Sequence, residues 1–284
     1  MPQTPSHATA RGRFLLTLDG TVCGFVTSAE GGDISAPVIR EPAGAFVRKH
    51  LGAPAPEPIV LSFDLSLKKV VYDWIAEFWK GNASAKSGSL ITLDLNNQAR
   101  SELVFEKAAI AATTVPAMDA ASKTPCLLTV RLNPAATSRR PASGPVAGVT
   151  PAPKKLWLSS NFRFEIDGLD ATRISKIEPL TVAAGEQGAI DFPDVRALLS
   201  ETTSQTWSDW HDEFVVKGKN DDANEKSGSL IFLSPDLQSQ LGGVALTGLG
   251  IHRLSREPVV EGGAAQVARL VAELYCERME LAVS

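Results

Sequence analysis

Apolar and polar residues alternate over residues 59–67, IVLSFDLSL. The apolar residues of this run occupy every second position: Ile59, Leu61, Phe63, Leu65 and Leu67. A period of two predicts a strand with one buried face. The spacing then becomes helical at Val70, Val71, Trp74, Ile75 and Phe78. This second pattern predicts a helix of two to three turns that packs one face inward.

The hexapeptide KSGSLI occurs twice, at residues 86–91 and 226–231. DWIAEFWKGN (73–82) precedes the first copy and DWHDEFVVKGKN (209–220) precedes the second. The second segment predicts a helix of its own, with Trp207, Trp210 and Phe214 at i, i+3 and i+7. We interpret each Lys-Ser-Gly as a turn into a strand, with Gly88 and Gly228 supplying positive φ.

The correspondence continues at both ends of each copy. LTLDG (16–20) matches FEIDG (164–168), and LLTVRL (127–132) corresponds to RLVAELYCERMEL (269–281). The last segment also has leucines at helical spacing, but we predict a strand by analogy with 127–132. Ordered matches of this kind predict a tandem duplication.

The segment between the copies, NPAATSRRPASGPVAGVTPAPKK, is rich in Pro, Ala, Ser and Gly, a composition typical of an extended linker. We therefore predict a first domain over 10–134, a linker over 135–155 and a second domain over 156–284. Each domain is predicted to be mainly β, an antiparallel β-barrel or sandwich with one helix.

Composition narrows the functional classes. Hydrophobic residues make up 44% and charged residues 21%, as in soluble globular proteins, and the net charge of −4 argues against a nucleic-acid or anionic membrane surface as the main partner. No apolar run approaches the roughly 18–20 residues that cross a bilayer. The N-terminal segment lacks the apolar core of a signal peptide. Cys23, Cys126 and Cys276 are far apart, so we expect reduced thiols.

Candidate catalytic chemistry is sparse. The carboxylates of Asp209, Asp212 and Glu213 lie near the imidazole of His211 in the sequence, a combination that can perform acid–base chemistry or bind a metal. The first copy, however, has Ile75 and Ala76 in place of His211 and Asp212. The inward tryptophans of the same helix turn both residues towards solvent. We interpret GLGIHR (248–253) as a strand-edge turn and KSGSLI as a turn rather than an anion site. The sequence therefore predicts no enzyme, no cofactor and no metal site.

Trp74 and Trp210 could each stack against a sugar or a base, but their matched helix positions predict core residues.

The ordered series of segments resembles the tail-tube protein family of contractile phages, which includes the inner tubes of extracellular contractile injection systems. The segments are LDGTVCGF and IDGL (166–169), PIVLSFDLSLKKVVYDWIAEFW, and the run from SGSLITLD to LLTVRL. Within that run, a turn and its flanking strands carry the likeness: Phe105, Ala108, Pro116, Asp119, Ala120 and Ser122. The resemblance covers nearly all of 11–132 and, more thinly, 161–234.

The resemblance implies single β-barrel domains, six of which form a ring that stacks into a hollow tube. Three copies of a two-domain chain would then build a ring with pseudo-sixfold symmetry. In the family the long loop after the first hairpin mediates stacking. Here that loop matches 30–58, with Arg40, Glu41, Arg48 and Lys49 as candidate contacts, and the second half has only a short counterpart at 183–193.

We therefore expect a homotrimeric structural protein whose rings stack into the inner tube of a phage-tail-like contractile injection machine. Expected partners are further copies of itself and sheath, baseplate or tail-terminator proteins, with nucleic acid or protein cargo only as a passenger in the lumen. No membrane partner is expected. Assembly is expected in the cytoplasm, and the final location in a virion tail or a phage-tail-like particle. The alternative is a ring-shaped baseplate or tube-end adaptor, or a cargo-binding module, that does not polymerise.

Overall fold

A computed structural model describes residues 13–82, 84–146, 156–185, 188–257 and 268–283. The first half (13–146) contains β1 Arg13–Leu18, β2 Thr21–Val26, β3 Ser28–Gly31, β4 Ile34–Ser35, β5 Val38–Ala43, β6 Phe46–Leu51, β7 Ala55–Pro56, β8 Ile59–Phe63, α1 Lys69–Trp79, β9 Lys86–Leu93, β10 Ala99–Val115, β11 Met118–Asp119, β12 Leu128–Asn133 and β13 Ala136–Pro141. The second half (156–283) contains β14 Phe162–Ile166, β15 Ile174–Ile177, β16 Leu180–Ala184, β17 Ile190–Asp191, β18 Val195–Ser200, α2 Gln205–His211, a π-helical turn Asp212–Val216, β19 Lys226–Leu233, β20 Gln240–Arg256 and β21 Arg269–Val283. The predicted mainly β fold is confirmed.

The amphipathic patterns form the elements that they predict. β8 buries Ile59 and Phe63 on one face, and it ends before Asp64 because that carboxylate accepts the backbone N–H of Ser66 at 2.9 Å and turns the chain. α1 covers the predicted helix and buries its apolar stripe. In the second half α2 continues into the π-helical turn, which carries Phe214 inward.

The same order of six strands occurs in both halves. The first half has the order β1-β9-β10-β12-β8-β3, and the second has β14-β19-β20-β21-β18-β15. Every paired neighbour along these two orders is antiparallel. The halves differ at their edges, since β2 extends only the first order beyond β1.

Irregularities in the longest strands also coincide between the halves. β10 is irregular between Phe105 and Ala108, and β20 is irregular between Leu246 and Leu249, in each case opposite the Lys-Ser-Gly of the neighbouring strand. Gly248 has a φ of 66° at this place. GLGIHR is therefore a bulge inside β20, and our interpretation of it as a strand-edge turn was wrong.

Gly88 and Gly228 lie inside strands and neither has positive φ, so the predicted turn at Lys-Ser-Gly was wrong. Glycine is required there for a different reason. A Cβ on Gly88 would lie 2.1 Å from the carbonyl oxygen of Thr17, and a Cβ on Gly228 would lie 2.4 Å from that of Glu165. The repeated hexapeptide thus marks a close approach between neighbouring backbones.

β21 is a single strand of 15 residues, which confirms the strand prediction for 269–281. In the first half two consecutive strands, β12 and β13, take the place of β21, and both pair with β10. β13 occupies residues 136–141, so the start of the predicted linker belongs to the sheet. Residues 147–155 of that linker lie outside the described residues. The domain boundaries stay a prediction.

The halves are joined by strand pairing and by a shared core. β16 of the second half pairs with residues 112–115 of β10, and β11 of the first half pairs with β15. α1 packs against β21 of the other half. One apolar cluster extends through both halves.

Candidate assembly surfaces

The loop predicted to mediate stacking is a projecting β-hairpin. β5 and β6 pair only with each other among the described strands, from Val38 opposite Leu51 to Ala43 opposite Phe46. Gly44, with a φ of 63°, begins the two-residue turn, the position where type II′ hairpin turns need positive φ. All residues of both strands are exposed. Because an isolated two-stranded hairpin is marginally stable in water, this segment gains most from a covering partner.

The four predicted contact residues come together in the middle of this hairpin but divide between its two faces. Arg40 lies opposite Lys49, and Glu41 lies opposite Arg48. Directly opposed residues share a face, and successive residues alternate between faces. One face therefore carries the two like charges of Arg40 and Lys49, and the other carries the opposite charges of Glu41 and Arg48.

Apolar residues of the hairpin and its base are also exposed, and sequence reasoning missed them. Phe46 is 80% exposed and Leu51 70% exposed. Six of the eleven exposed large apolar side chains in the described part of the chain lie in this segment: Ile34, Val38, Ile39, Phe46, Val47 and Leu51. Such clustering marks an interaction surface more strongly than the charges do.

The short counterpart in the second half does not project. β16 and β17 form a small hairpin through Ala183 opposite Asp191, and β16 also lies along β10. Leu180 and Val182 are buried there. The chain therefore presents one long hairpin and folds the shorter one against its own first half.

The contact between the two halves, here called the inter-half seam, combines strand pairing with aromatic packing. Thr114 and Thr181 are paired across it, with their hydroxyl oxygens 2.9 Å apart. Trp79 at the end of α1 packs edge-on against Phe192, with ring centroids 6.4 Å apart. At the seam, β16 of the second half therefore extends the first-half sheet, and the buried Trp79 packs beside it against the partly buried Phe192.

Two of the candidate acid–base residues, Asp212 and Glu213, belong to an exposed ion cluster with Lys217 and Lys219. Lys217 contacts Asp212 at 2.8 Å and Glu213 at 2.5 Å, and Lys219 also contacts Glu213. Hydrogen bonds from Lys217 and Lys219 lower the pKa of Glu213 to about 2. His211 belongs to none of these ion pairs. The described residues contain no group of three or more side chains suited to hold a metal ion.

The contact between His252 and Asp194 was not predicted from the sequence. His252 lies 3.2 Å from Asp194, and the two side chains are 42% and 59% exposed. The two residues are 58 positions apart, so no local motif indicates the pair.

The two lysines of KSGSLI have different partners. Lys86 pairs with Asp19 at 2.9 Å, whereas Lys226 lies over the ring of Trp210 at 5.5 Å. Trp74 and Trp210 are both buried, as predicted. Neither lysine points to an anion site, because one is neutralised and the other covers an aromatic ring.

Cys23, Cys126 and Cys276 are buried and unpaired. Burial raises the pKa of each thiol to about 11, so all three are protonated at neutral pH and weakly reactive. Among the described helices none is long and apolar enough to cross a membrane.

Comparison with known proteins gives structural likenesses only. No protein-family profile and no curated protein matches the chain. Three cryo-EM structures are similar to it: the tube-terminating cap of the anti-feeding prophage, with 21% identity and a TM-score of 0.40; the sheath–tube complex of the PVC extracellular contractile injection system, with 19% and 0.39; and the sheath/tube terminator of the same system, with 18% and 0.40. The matches cover 50%, 46% and 49% of this chain and 95%, 89% and 98% of the other chains.

Proposed function

We propose that this protein is a structural subunit of a phage-tail-like contractile injection machine. In this proposal the chain is a tandem duplication of a tail-tube-like domain, and three copies form a pseudo-hexameric ring. The rings stack into the inner tube, with sheath, baseplate or terminator proteins as further partners. The resemblance of the ordered sequence segments to tail-tube proteins is one support for it.

The observation that carries the proposal is the repeated strand order within one chain. The two orders of six strands form separate sheets, and β16 of the second half adds as a strand along β10 of the first-half sheet. Because backbone pairing joins two halves of the same strand order in one chain, the chain is suited to be a segment of a ring. Ring formation also covers sheet edges that would otherwise stay open.

The projecting hairpin supports stacking between rings. Its two faces differ in charge and both carry exposed apolar residues, so it can insert into a neighbouring layer and bury area on each side. A stacked ring would offer three such hairpins, one from each chain.

The non-polymerising adaptor remains a second candidate because the second half lacks a projecting hairpin. A ring with three long and three short hairpins could end a tube as well as continue one. In that case the hairpin would contact a baseplate or terminator partner and not another copy.

Negative-stain electron microscopy tests the proposal with three purified proteins: the wild type, Phe46→Ser, and the control Leu95→Ser. Leu95 is 77% exposed outside the hairpin, so the control removes a similar exposed apolar side chain. The proposal expects tubes for the wild type and the control, and single rings for Phe46→Ser. Isolated rings for all three would favour the adaptor, whereas monomers for all three would contradict a self-assembling subunit.

A further inference from the structure

We infer that residues 32–35 of one copy add as a strand to residues 253–256 of β20 in a second copy. This contact would repeat between molecules the inter-half seam that β16 and β10 form within one. The inference deepens the proposed ring assembly and rests on it for the number of copies. It adds the identity of the contacting segments.

The equivalence of the segments follows from strand registers. β8 and β18 hold the same place in the two strand orders, and Leu61 of β8 corresponds to Ala197 of β18. Leu61 pairs with Ala29 of β3, and Ala197 pairs with Ile177 of β15. Equivalent residues of β3 and β15 therefore differ by 148 in number. Ala55 pairs with Ser35, and Asp191 pairs with Ala183, which gives the same offset. Residues 32–35 are therefore the first-half equivalent of residues 180–183 in β16.

The accepting strand is aligned in the same way. Leu103 of β10 pairs with Leu90, and Val244 of β20 pairs with Leu230. Irregularities farther along these strands follow Ile110 in β10 and Ile251 in β20. Both comparisons give an offset of 141. Residues 112–115, which accept β16 within the chain, therefore correspond to residues 253–256.

Both inferred segments lack the pairing that their equivalents have. Residues 112–115 pair with β16 and residues 112–114 with β12, whereas residues 253–256 pair only with β21 among the described strands. Among the described strands β4 pairs only with β7, whereas its second-half equivalent β16 pairs with both β17 and β10. Within the described residues, one edge of β20 at residues 253–256 and one edge of β4 (Ile34–Ser35) therefore pair with no further strand.

Apolar residues that are buried at the inter-half seam have exposed equivalents at the two unpaired segments. Val182 is fully buried in the seam, and its equivalent Ile34 is 57% exposed. Trp79 is 3% exposed, and the matching position on the second helix is Val215, which is 42% exposed. The adjacent Val216 is 68% exposed. Apolar side chains are therefore exposed at the places where a second copy would bury them.

The donor and the acceptor are different surfaces, so the contact is head-to-tail. Such contacts close into a ring when the rotation between copies permits closure, and otherwise form an open helix. The same strand pairing would join two halves within a chain and two halves of neighbouring chains. All six halves of the ring would then have nearly equivalent contacts. A second copy is consequently the occupant that these edges fit best.

Disulfide trapping tests the contact. Thr114 and Thr181 are paired within the chain, and their equivalents between copies are Ser255 and Asp33. The double variant Asp33→Cys with Ser255→Cys is oxidised and resolved on a non-reducing gel. The matched control carries Thr114→Cys with Thr181→Cys, and the two single variants exclude random cross-links. The native thiols are buried and serve as background in the wild type.

The inference expects oxidised Asp33→Cys/Ser255→Cys to give bands of two and three chains. The control pair should give a cross-linked monomer, and the single variants should give no such ladder. Rings in the microscope without the ladder would overturn this contact and leave the proposed function intact. Monomers by microscopy together with no ladder would overturn both.

Discussion

Trp79 donates its indole N–H to the hydroxyl oxygen of Thr113 at 2.6 Å, with both side chains buried at the inter-half seam. One partner ends a helix of the first half and the other lies on the strand that receives β16 of the second half. The bond therefore fixes α1 against the strand that joins the halves. It also places a buried side-chain hydrogen bond in the seam, in addition to the exposed hydroxyl contact of Thr114 with Thr181.

Trp79→Phe is expected to destabilise the protein by about 1–3 kcal/mol, because the buried Thr113 hydroxyl loses its partner. Trp79→Ala is expected to cost about 3–5 kcal/mol, because a large buried ring is removed as well. Urea unfolding measures both values. Val215→Ala, at the matched position of the second helix, is the control and should leave the monomer within about 0.5 kcal/mol of the wild type. Equal losses at both positions would contradict a specific role for the seam.

Gly228→Ala is expected to destabilise the second half by about 1–3 kcal/mol through overpacking, since its Cβ would meet the carbonyl oxygen of Glu165 at 2.4 Å. The adjacent Ser227 is exposed and serves as the control in Ser227→Ala. Thermal unfolding compares the two. If Gly228→Ala melts at the wild-type temperature, the close approach of β14 and β19 is wrong.

The carboxyl of Glu213 should titrate with a midpoint near its lowered pKa of about 2, well below the ordinary 4.5. A depressed pKa in the folded state means that this group stabilises the fold above about pH 4.5, and that the contribution is lost as pH falls towards 2. Carbon-detected NMR of the side-chain carboxyl measures the midpoint. Lys217→Ala with Lys219→Ala should return it towards 4.5, whereas Lys176→Ala should leave it unchanged.

Val215→Asp is expected to weaken association without unfolding the chain, because an exposed side chain gains a charge that a second copy would have to bury. Sedimentation velocity over a range of concentrations measures the association. Leu237→Asp is the control, since Leu237 is 55% exposed in the turn between β19 and β20. Loss of association in both variants, or in neither, would contradict an interface at this helix.

Local patterns predicted the elements that bury a regular stripe. β8 and α1 were found because alternation and helical spacing directly reflect one buried face. β13 was missed because ATSRRP is mostly polar and exposed, so its place in the sheet depends on backbone pairing with β10. Backbone pairing between distant segments leaves no periodic trace in the sequence.

The assembly surfaces were predicted only in part, for related reasons. The charges of the hairpin were identified through a family resemblance, whereas Phe46 and Leu51 gave no signal because apolar residues are normally assigned to a core. The pairing of β16 with β10 was not predicted, because it depends on how the two halves meet. KSGSLI was recognised as important, but its glycine is required by a neighbouring carbonyl and not by a turn.

Mass photometry of the wild-type protein shows directly whether three copies form the basic unit of assembly. The chain has a mass of 30.2 kDa, and we expect the smallest stable assembly to have three times that mass. Larger species should then grow in steps of the same unit as rings stack. A single species at the mass of one chain, unchanged with concentration, would show that the chain does not assemble into trimeric rings.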